Sequence, residues 1–210
     1  MTISRVEYYG ASLRQEGRVT NEDAFLLGRG ASPFAVLCDG AGNAQRAAKK
    51  ACRLFACLFS ESTEVDVQKH RTWARWINVL DTSLLGGFQS TFLGVTFFQS
   101  NFIGTCAGDS RAYLFSRDGN LKILTETASK HRLGSGKARA FPLRARLRSG
   151  DILLLLSDGA WTPLGPYRLK KVLPCMLGRH FSEVPQAILE AASRTGRADD
   201  MAAVAVRLVP

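Results

Sequence analysis

Ile152-Leu153-Leu154-Leu155-Leu156-Ser157-Asp158-Gly159 is an unbroken aliphatic run of five residues that stops at a serine, an acid and a glycine. Such a run suits a strand covered on both faces and is short for a helix. An acid at the end of that strand lies beside the core, where charge is costly unless a cation or hydrogen-bond donors offset it. The same grammar recurs in Phe34-Ala35-Val36-Leu37-Cys38-Asp39-Gly40. Two buried strands, each delivering an Asp-Gly to its end, point to a shared site.

The 210 residues suffice for one domain with a sizeable core. No apolar run approaches the ~20 residues of a membrane span. Met1-Thr2-Ile3-Ser4-Arg5 lacks the apolar centre of a signal peptide, so the expected location is the cytoplasm. The five cysteines are scattered, with no CxxC spacing, which favours buried reduced thiols over a zinc site. A formal charge of +10 attracts anionic partners by its field alone. Yet the basic residues are dispersed, apart from Lys130 to Arg148, and no aromatic RNA-binding motif occurs. Nucleic acid is therefore not the expected partner.

In chain order, Arg5 to Tyr9 reads as a strand and Gly10 to Gly17 as a loop. Arg18-Val19-Thr20-Asn21-Glu22-Asp23-Ala24 then leads into the strand Phe25-Leu26-Leu27. Small or apolar residues recur at helical spacing from Ala44 to Phe59, with Asn43 placed to cap the helix. Trp73, Trp76, Ile77 and Leu80 mark a second helix, and His70 reads as a surface residue. Ser90–Phe98 and Phe102–Cys106 form a hairpin around Gln99-Ser100-Asn101. Ala112–Phe115 and Leu121–Thr125 form another around Arg117-Asp118-Gly119-Asn120. Successive hairpins predict a mainly antiparallel sheet rather than alternating βαβ units. Thr127 to Arg148 reads as a basic loop. After Asp158, Pro163 and Pro166 predict a turn, Tyr167–Leu177 a short helix, and Ser182 the cap of a clearer one. Ala202–Leu208 is the last strand.

Acids recur beside these strand ends: Glu22 and Asp23, Asp39, Asp109, Asp158, and Asp199 with Asp200. Turn chemistry accounts for one or two; the repetition predicts a carboxylate cage. Oxygen ligands without imidazole or thiolate select Mg²⁺ or Mn²⁺. Arg18, close to Glu22, offers a planar cation suited to phosphate. Two ions bridged by water would give a hydroxide at neutral pH and a clamp for in-line attack on phosphorus. No serine–histidine–acid pattern, P-loop or Asp-x-Asp motif competes with this reading, which is metal-assisted hydrolysis of a phosphoester.

These residues resemble, in order and over essentially the whole chain, the motifs of the PP2C-type metal-dependent protein serine/threonine phosphatases. The matching stretches are Arg18-x-x-Asn21-Glu22-Asp23-Ala24, Asp39-Gly40-x-Gly42, Ser90-Thr91, Gly108-Asp109-Ser110-Arg111-Ala112, Ser157-Asp158-Gly159 and Asp199-Asp200-Met201. The resemblance implies an α+β fold, a four-layer α-β-β-α sandwich of two mainly antiparallel sheets. It implies one phosphatase domain over 1–210, with a reduced flap around 126–150. It assigns Asp39, the Gly40 carbonyl, Asp158 and Asp199 to a pair of Mg²⁺ or Mn²⁺ ions. Glu22 and Asp23 anchor the pair, largely through water. Arg18 matches the phosphate-binding arginine. Asp109, with Asp158, matches the acids of a third, weaker ion, and Asp200 a neighbouring acid less directly engaged. Arg18, Asp39 and Asp158 are thus the expected catalytic residues. Ala41 stands where some members carry a histidine, and Ala202 where a Thr or Ser is usual.

The expected function is hydrolysis of phosphoserine and phosphothreonine in proteins by a metal-bridging hydroxide, as part of signalling. The alternative is a weakly active or non-catalytic regulatory relative that binds phosphoproteins. The basic residues between Lys130 and Arg148 read either as a solvated loop or as a dock for the substrate protein.

Overall fold

The computed structural model describes residues 5–41, 45–196 and 199–209. Gly42, the Asn43 cap, Ala44 and the N-terminal Met1–Ser4 lie outside the described residues. The first half of the chain runs β1 (Arg5–Leu13), β2 (Ala24–Gly28), β3 (Phe34–Cys38), β4 (Gly40–Ala41), α1 (Gln45–Ser60), α2 (Glu64–Val67) and α3 (His70–Leu84). It continues through β5 (Gln89–Ser90), β6 (Phe92–Phe98), β7 (Asn101–Ala107), β8 (Arg111–Phe115), β9 (Leu121–Ile123) and β10 (Phe141–Arg146). The last part is β11 (Ile152–Leu156), α4 (Asp158–Leu177), a 3-10 turn at Phe181–Glu183, α5 (Val184–Ser193) and β12 (Met201–Val209).

Two antiparallel five-stranded sheets form, in the orders β1-β12-β11-β8-β9 and β10-β7-β6-β3-β2. Side-chain alternation then sorts the leucine run. Leu153 and Leu155 enter the core between the sheets with Leu37, Leu93, Val95 and Val204. Ile152, Leu154 and Leu156 face the other way, onto α4 and α5. The second sheet likewise turns Val36 and Cys38 toward α1 and α3, where Phe55, Trp73 and Trp76 pack edge to face. Helices, sheet, sheet and helices thus make four layers with three apolar interfaces, the expected α-β-β-α arrangement.

Several local expectations are corrected. β1 does not stop at Tyr9: Gly10 to Leu13 continue it, paired with Val204 to Met201 of β12. The long partner strand overrides the weak propensity of Gly10 and Ser12. Thr127 to Arg148 is not all loop, because Phe141–Arg146 is an edge strand on β7. Leu143 and Ala145 point inward while Pro142, Arg144 and Arg146 are exposed, a period of two that the arginines disguise. The chain enters α4 directly at Asp158, and the turn expected at Pro163 and Pro166 is reduced to a kink within that helix. It kinks at Gly165, whose φ of 57° and ψ of 169° only glycine adopts readily, and Pro166 starts the next helical stretch. Ser182 caps nothing: it lies inside the 3-10 turn, and α5 begins at Val184 with Pro185 in its first turn. His70 is half-buried at the start of α3 rather than fully at the surface.

Leu154 is fully buried against both terminal helices. Leu154→Ala should cost about 2–5 kcal/mol, lowering the calorimetric melting temperature by roughly 5–15 °C. A loss within about 1 °C would contradict this packing.

Candidate active site

All the predicted acids sit at one end of the sandwich. β3 and β7 run toward that end, carrying Asp39 and Asp109 just beyond their last residues. β11 runs the same way and delivers Asp158. β2 and β12 start there, so Asp23 and Asp200 immediately precede them. The pairings Ala24↔Cys38 and Leu156↔Ala203 bring the acids of each sheet side by side.

Hydrogen bonds fix each acid's backbone. Thr91 Oγ1 accepts from the Asp39 N–H at 2.9 Å and lies 2.7 Å from Ser110 Oγ, linking the Asp39 and Asp109 loops. The Thr91 N–H donates to the Asp39 carbonyl at 2.8 Å. The Ser90 N–H is given to Leu133, so it does not take up the carbonyl of the facing Gly40. Trp161 Nε1 donates to the Asp109 carbonyl at 3.0 Å, while the Arg111 guanidinium stacks 3.6 Å from the same ring. Ser157 Oγ accepts from the Ala202 N–H at 2.8 Å, clamping the end of β11 to the start of β12. A Cβ on Gly159 would lie 2.1 Å from the Asp200 carbonyl oxygen, so only glycine permits this approach.

Asp200, expected to be less directly engaged with the ions, has both carboxylate oxygens committed to the chain's own donors. Only 3% exposed, it accepts from the N–H groups of Gln15 at 2.7 Å and Glu22 at 2.9 Å, and from Arg18 Nη1 at 2.7 Å. Arg18 also lies 3.3 Å from Glu22 and 3.8 Å from Asp199. Sequence reasoning missed Arg132. Its Nη2 faces both Asp109 oxygens at 3.2 and 3.3 Å and sits 3.9 Å from Asp158. In sequence it belongs to a basic run that reads as a solvated loop or a dock for the substrate protein; the bridge of Leu133 to Ser90 reveals its place.

At the centre the acids are short of partners. Asp23 and Asp39 are both 6% exposed, and one oxygen of each, Oδ2, has no hydrogen-bond partner among the described residues. Burial, then repulsion from Asp23 and Asp158, pushes the Asp39 carboxyl up to about 10 despite the pull of Arg132. Burial first, with Asp158, Asp200 and Asp199 adding repulsion against an opposing bond from Ser157, raises Asp23 to about 7. Burial and Asp158 raise Asp199 too. Among the described residues no three Asp, Glu, His or Cys side chains close on one point as a ready-made cage. The donors nonetheless fit a hard divalent cation: they are oxygens only, and two buried ones lack a partner. A large open concavity lies elsewhere, lined by Tyr9, Arg29 and Phe98. The orphaned carboxylates, rather than cavity size, mark the site.

The sequence matches no protein family profile. It matches no curated protein. Solved structures do match. The catalytic domain of the serine/threonine protein phosphatase PstP in complex with two manganese ions is similar at a TM-score of 0.81 and 22% identity, over 98% of this chain and 99% of that one. The S. agalactiae serine/threonine phosphatase gives 0.79 at 19%, over 97% and 99%. The Mycobacterium tuberculosis phosphatase PstP/Ppp gives 0.75 at 20%, over 96% and 98%. The chain therefore has the fold of PP2C-type serine/threonine phosphatases along its described length. Among the described residues no helix is long and apolar enough to cross a membrane.

The raised acids set a pH dependence. A carboxyl whose folded pKa exceeds the unfolded value of ~3.9 stabilises the fold below that value, and the contribution is lost as pH rises. Without metal, stability should fall from pH ~4 through about 7 for Asp23 and toward about 10 for Asp39. Mn²⁺ at ~100 times its pH 8 dissociation constant should then raise the melting temperature on the order of 5–10 °C at pH 8, with release of protons, and the same concentration should raise it much less at pH 5.5. Equal shifts at the two pH values would contradict the assignment.

Proposed function

We propose that this protein is a Mg²⁺- or Mn²⁺-dependent phosphatase of phosphoserine and phosphothreonine in proteins. One observation carries the reading: Asp23 and Asp39 face each other's field with a buried, unpartnered oxygen apiece, at the end where both sheets converge. The manganese ions named with PstP, on the same fold, support it. Asp39, the Gly40 carbonyl, Asp158 and Asp199 would hold two ions, directly or through water, with Glu22 and Asp23 anchoring them. Bound there, such ions supply Lewis-acid charge and water of lowered pKa.

The chain's own groups do the rest. Arg18, anchored to Asp200 through Nη1 and partly exposed, orients a phosphoryl group toward the acids. Asp39 holds its proton until a cation replaces it. Ala41 offers no proton donor, so the leaving serine or threonine oxygen takes its proton from water. Residues 1–210 act as one phosphatase domain with its flap cut down to 126–150. A cytoplasmic signalling role, with a phosphoprotein as partner, completes the proposal. The exposed basic residues of the 130–148 segment, among them Arg144 and Arg146 on the edge strand, are left to dock that protein.

With Mn²⁺ supplied, p-nitrophenyl phosphate and phosphothreonine peptides should be hydrolysed, and Asp158→Asn should remove at least ~10³ of kcat. Wild type as inactive as the variant would leave the alternative, a phosphoprotein-binding relative without turnover. Charge reversal at Arg144 and Arg146 should raise KM for a phosphoprotein several-fold and spare p-nitrophenyl phosphate; equal effects on both would sink the docking role.

A further inference from the structure

Arg132 is the one basic residue of the 130–148 segment whose side chain meets the acid cluster among the described contacts. Its side chain is 21% exposed, and one guanidinium nitrogen faces both oxygens of Asp109. The second acid within reach is Asp158, at 3.9 Å. These are the two acids that the sequence resemblance pairs around a third ion. An ion there would need Asp109 oxygens that already accept from Arg132, and would sit against a fixed positive charge.

The backbone around Arg132 shows that this contact is built in. Leu133, fully buried, exchanges two hydrogen bonds with Ser90, its N–H donating at 2.8 Å and its carbonyl accepting at 3.2 Å. Asp81 of α3, itself buried, accepts from the N–H groups of Gly134 at 2.7 Å, Gly136 at 3.1 Å and Ala138 at 3.2 Å. The Arg132 carbonyl accepts from Ser135 Oγ at 2.6 Å. Gly134 takes a φ of +86°, and a Cβ there would lie 2.8 Å from the Phe88 carbonyl oxygen. The segment that carries Arg132 is thus tied to α3 on one side and to the strand facing Gly40 on the other. Asp109 is tied down in turn through Trp161.

We propose that Arg132 is a built-in cation that takes the place of a third metal ion between Asp109 and Asp158, so that the protein binds two divalent ions and not three. The inference rests on the two-ion reading for the number two, but not for the role of Arg132. Removing the guanidinium frees Asp109 and opens a site for one more ion.

The test is the stoichiometry of Mn²⁺ binding up to millimolar concentration, by calorimetry and by the Mn²⁺ electron paramagnetic signal. Wild type and Asp109→Asn should each bind two ions. Arg132→Ala should bind a third, weaker one, lost again in Arg132→Ala/Asp109→Asn, while Arg132→Lys should stay at two. A third ion in the wild type that Asp109→Asn removes would overturn the inference, and that arm needs no Arg132 variant to fold. So would a folded Arg132→Ala, checked by circular dichroism, that gains no ion. A wild type that binds no Mn²⁺ overturns the two-ion reading alone if Arg132→Ala still gains an Asp109-dependent site, and both if it does not.

Discussion

Like charges gathered where water is scarce repel one another, and this repulsion is the constraint around which the molecule is arranged. Seven carboxyl groups, from Glu22 to Asp200, share one end of the sandwich with Arg18 and Arg132. The arginines stand at opposite sides of the group. Arg18 gathers Asp200, Glu22 and Asp199; Arg132 gathers Asp109 and reaches Asp158. Between them burial and the repulsion of neighbouring acids outweigh the offsets from Ser157 at Asp23 and Arg132 at Asp39, so the deficit of positive charge is concentrated in the middle. A buried acid without a counter-charge is neutral or waits for a cation. The two flanking ion pairs decide where that vacancy of charge falls.

The apolar layers make such an arrangement tolerable. Asp39, Asp158 and Asp200 follow or precede strands buried on both faces, so their Cα atoms have little freedom to relax away from their neighbours. The polar links among the loops are short and backbone-directed: Thr91 to Asp39, Ser157 to Ala202, Trp161 to Asp109. They leave the carboxylate oxygens uncommitted while immobilising the chain that bears them. Ala202 shows the division of labour. Its side chain is buried and apolar, yet its backbone N–H and carbonyl both meet Ser157 Oγ, so the joint survives without a hydroxyl at position 202.

How much of this could be read from the sequence depended on how local the signal was. Ile152–Leu156 and Phe34–Cys38 declared themselves because a strand covered on both faces needs no alternation, and the acids after them declared the site. Hairpins with tight turns were equally plain. β10 was missed because a strand whose solvent-side residues are arginines, at a sheet edge, looks like a basic loop. The second half of β1 was missed because Gly10 and Ser12 carry no strand preference; β12 supplies the reason for extension from nearly 200 residues away. Arg132 and Asp200 illustrate the same limit at the site. Nothing adjacent in sequence distinguishes Arg132 from Arg139 or Asp200 from Asp199. What sets them apart is the fold that brings Ser90 to Leu133 and Gln15 to Asp200.

The order β1-β12-β11-β8-β9 places the last strand in sequence inside its sheet, between the first strand and β11. During synthesis, β1 and β11 must wait with unpaired edges until β12 emerges to fill the gap. Such edges are sticky, and pairings between distant segments form slowly. Asp199 and Asp200 arrive with that same strand, so a nascent chain holds an incomplete set of acids and one unfilled slot. The set of acids and the covering of those two strand edges are therefore completed together, by the insertion of one strand.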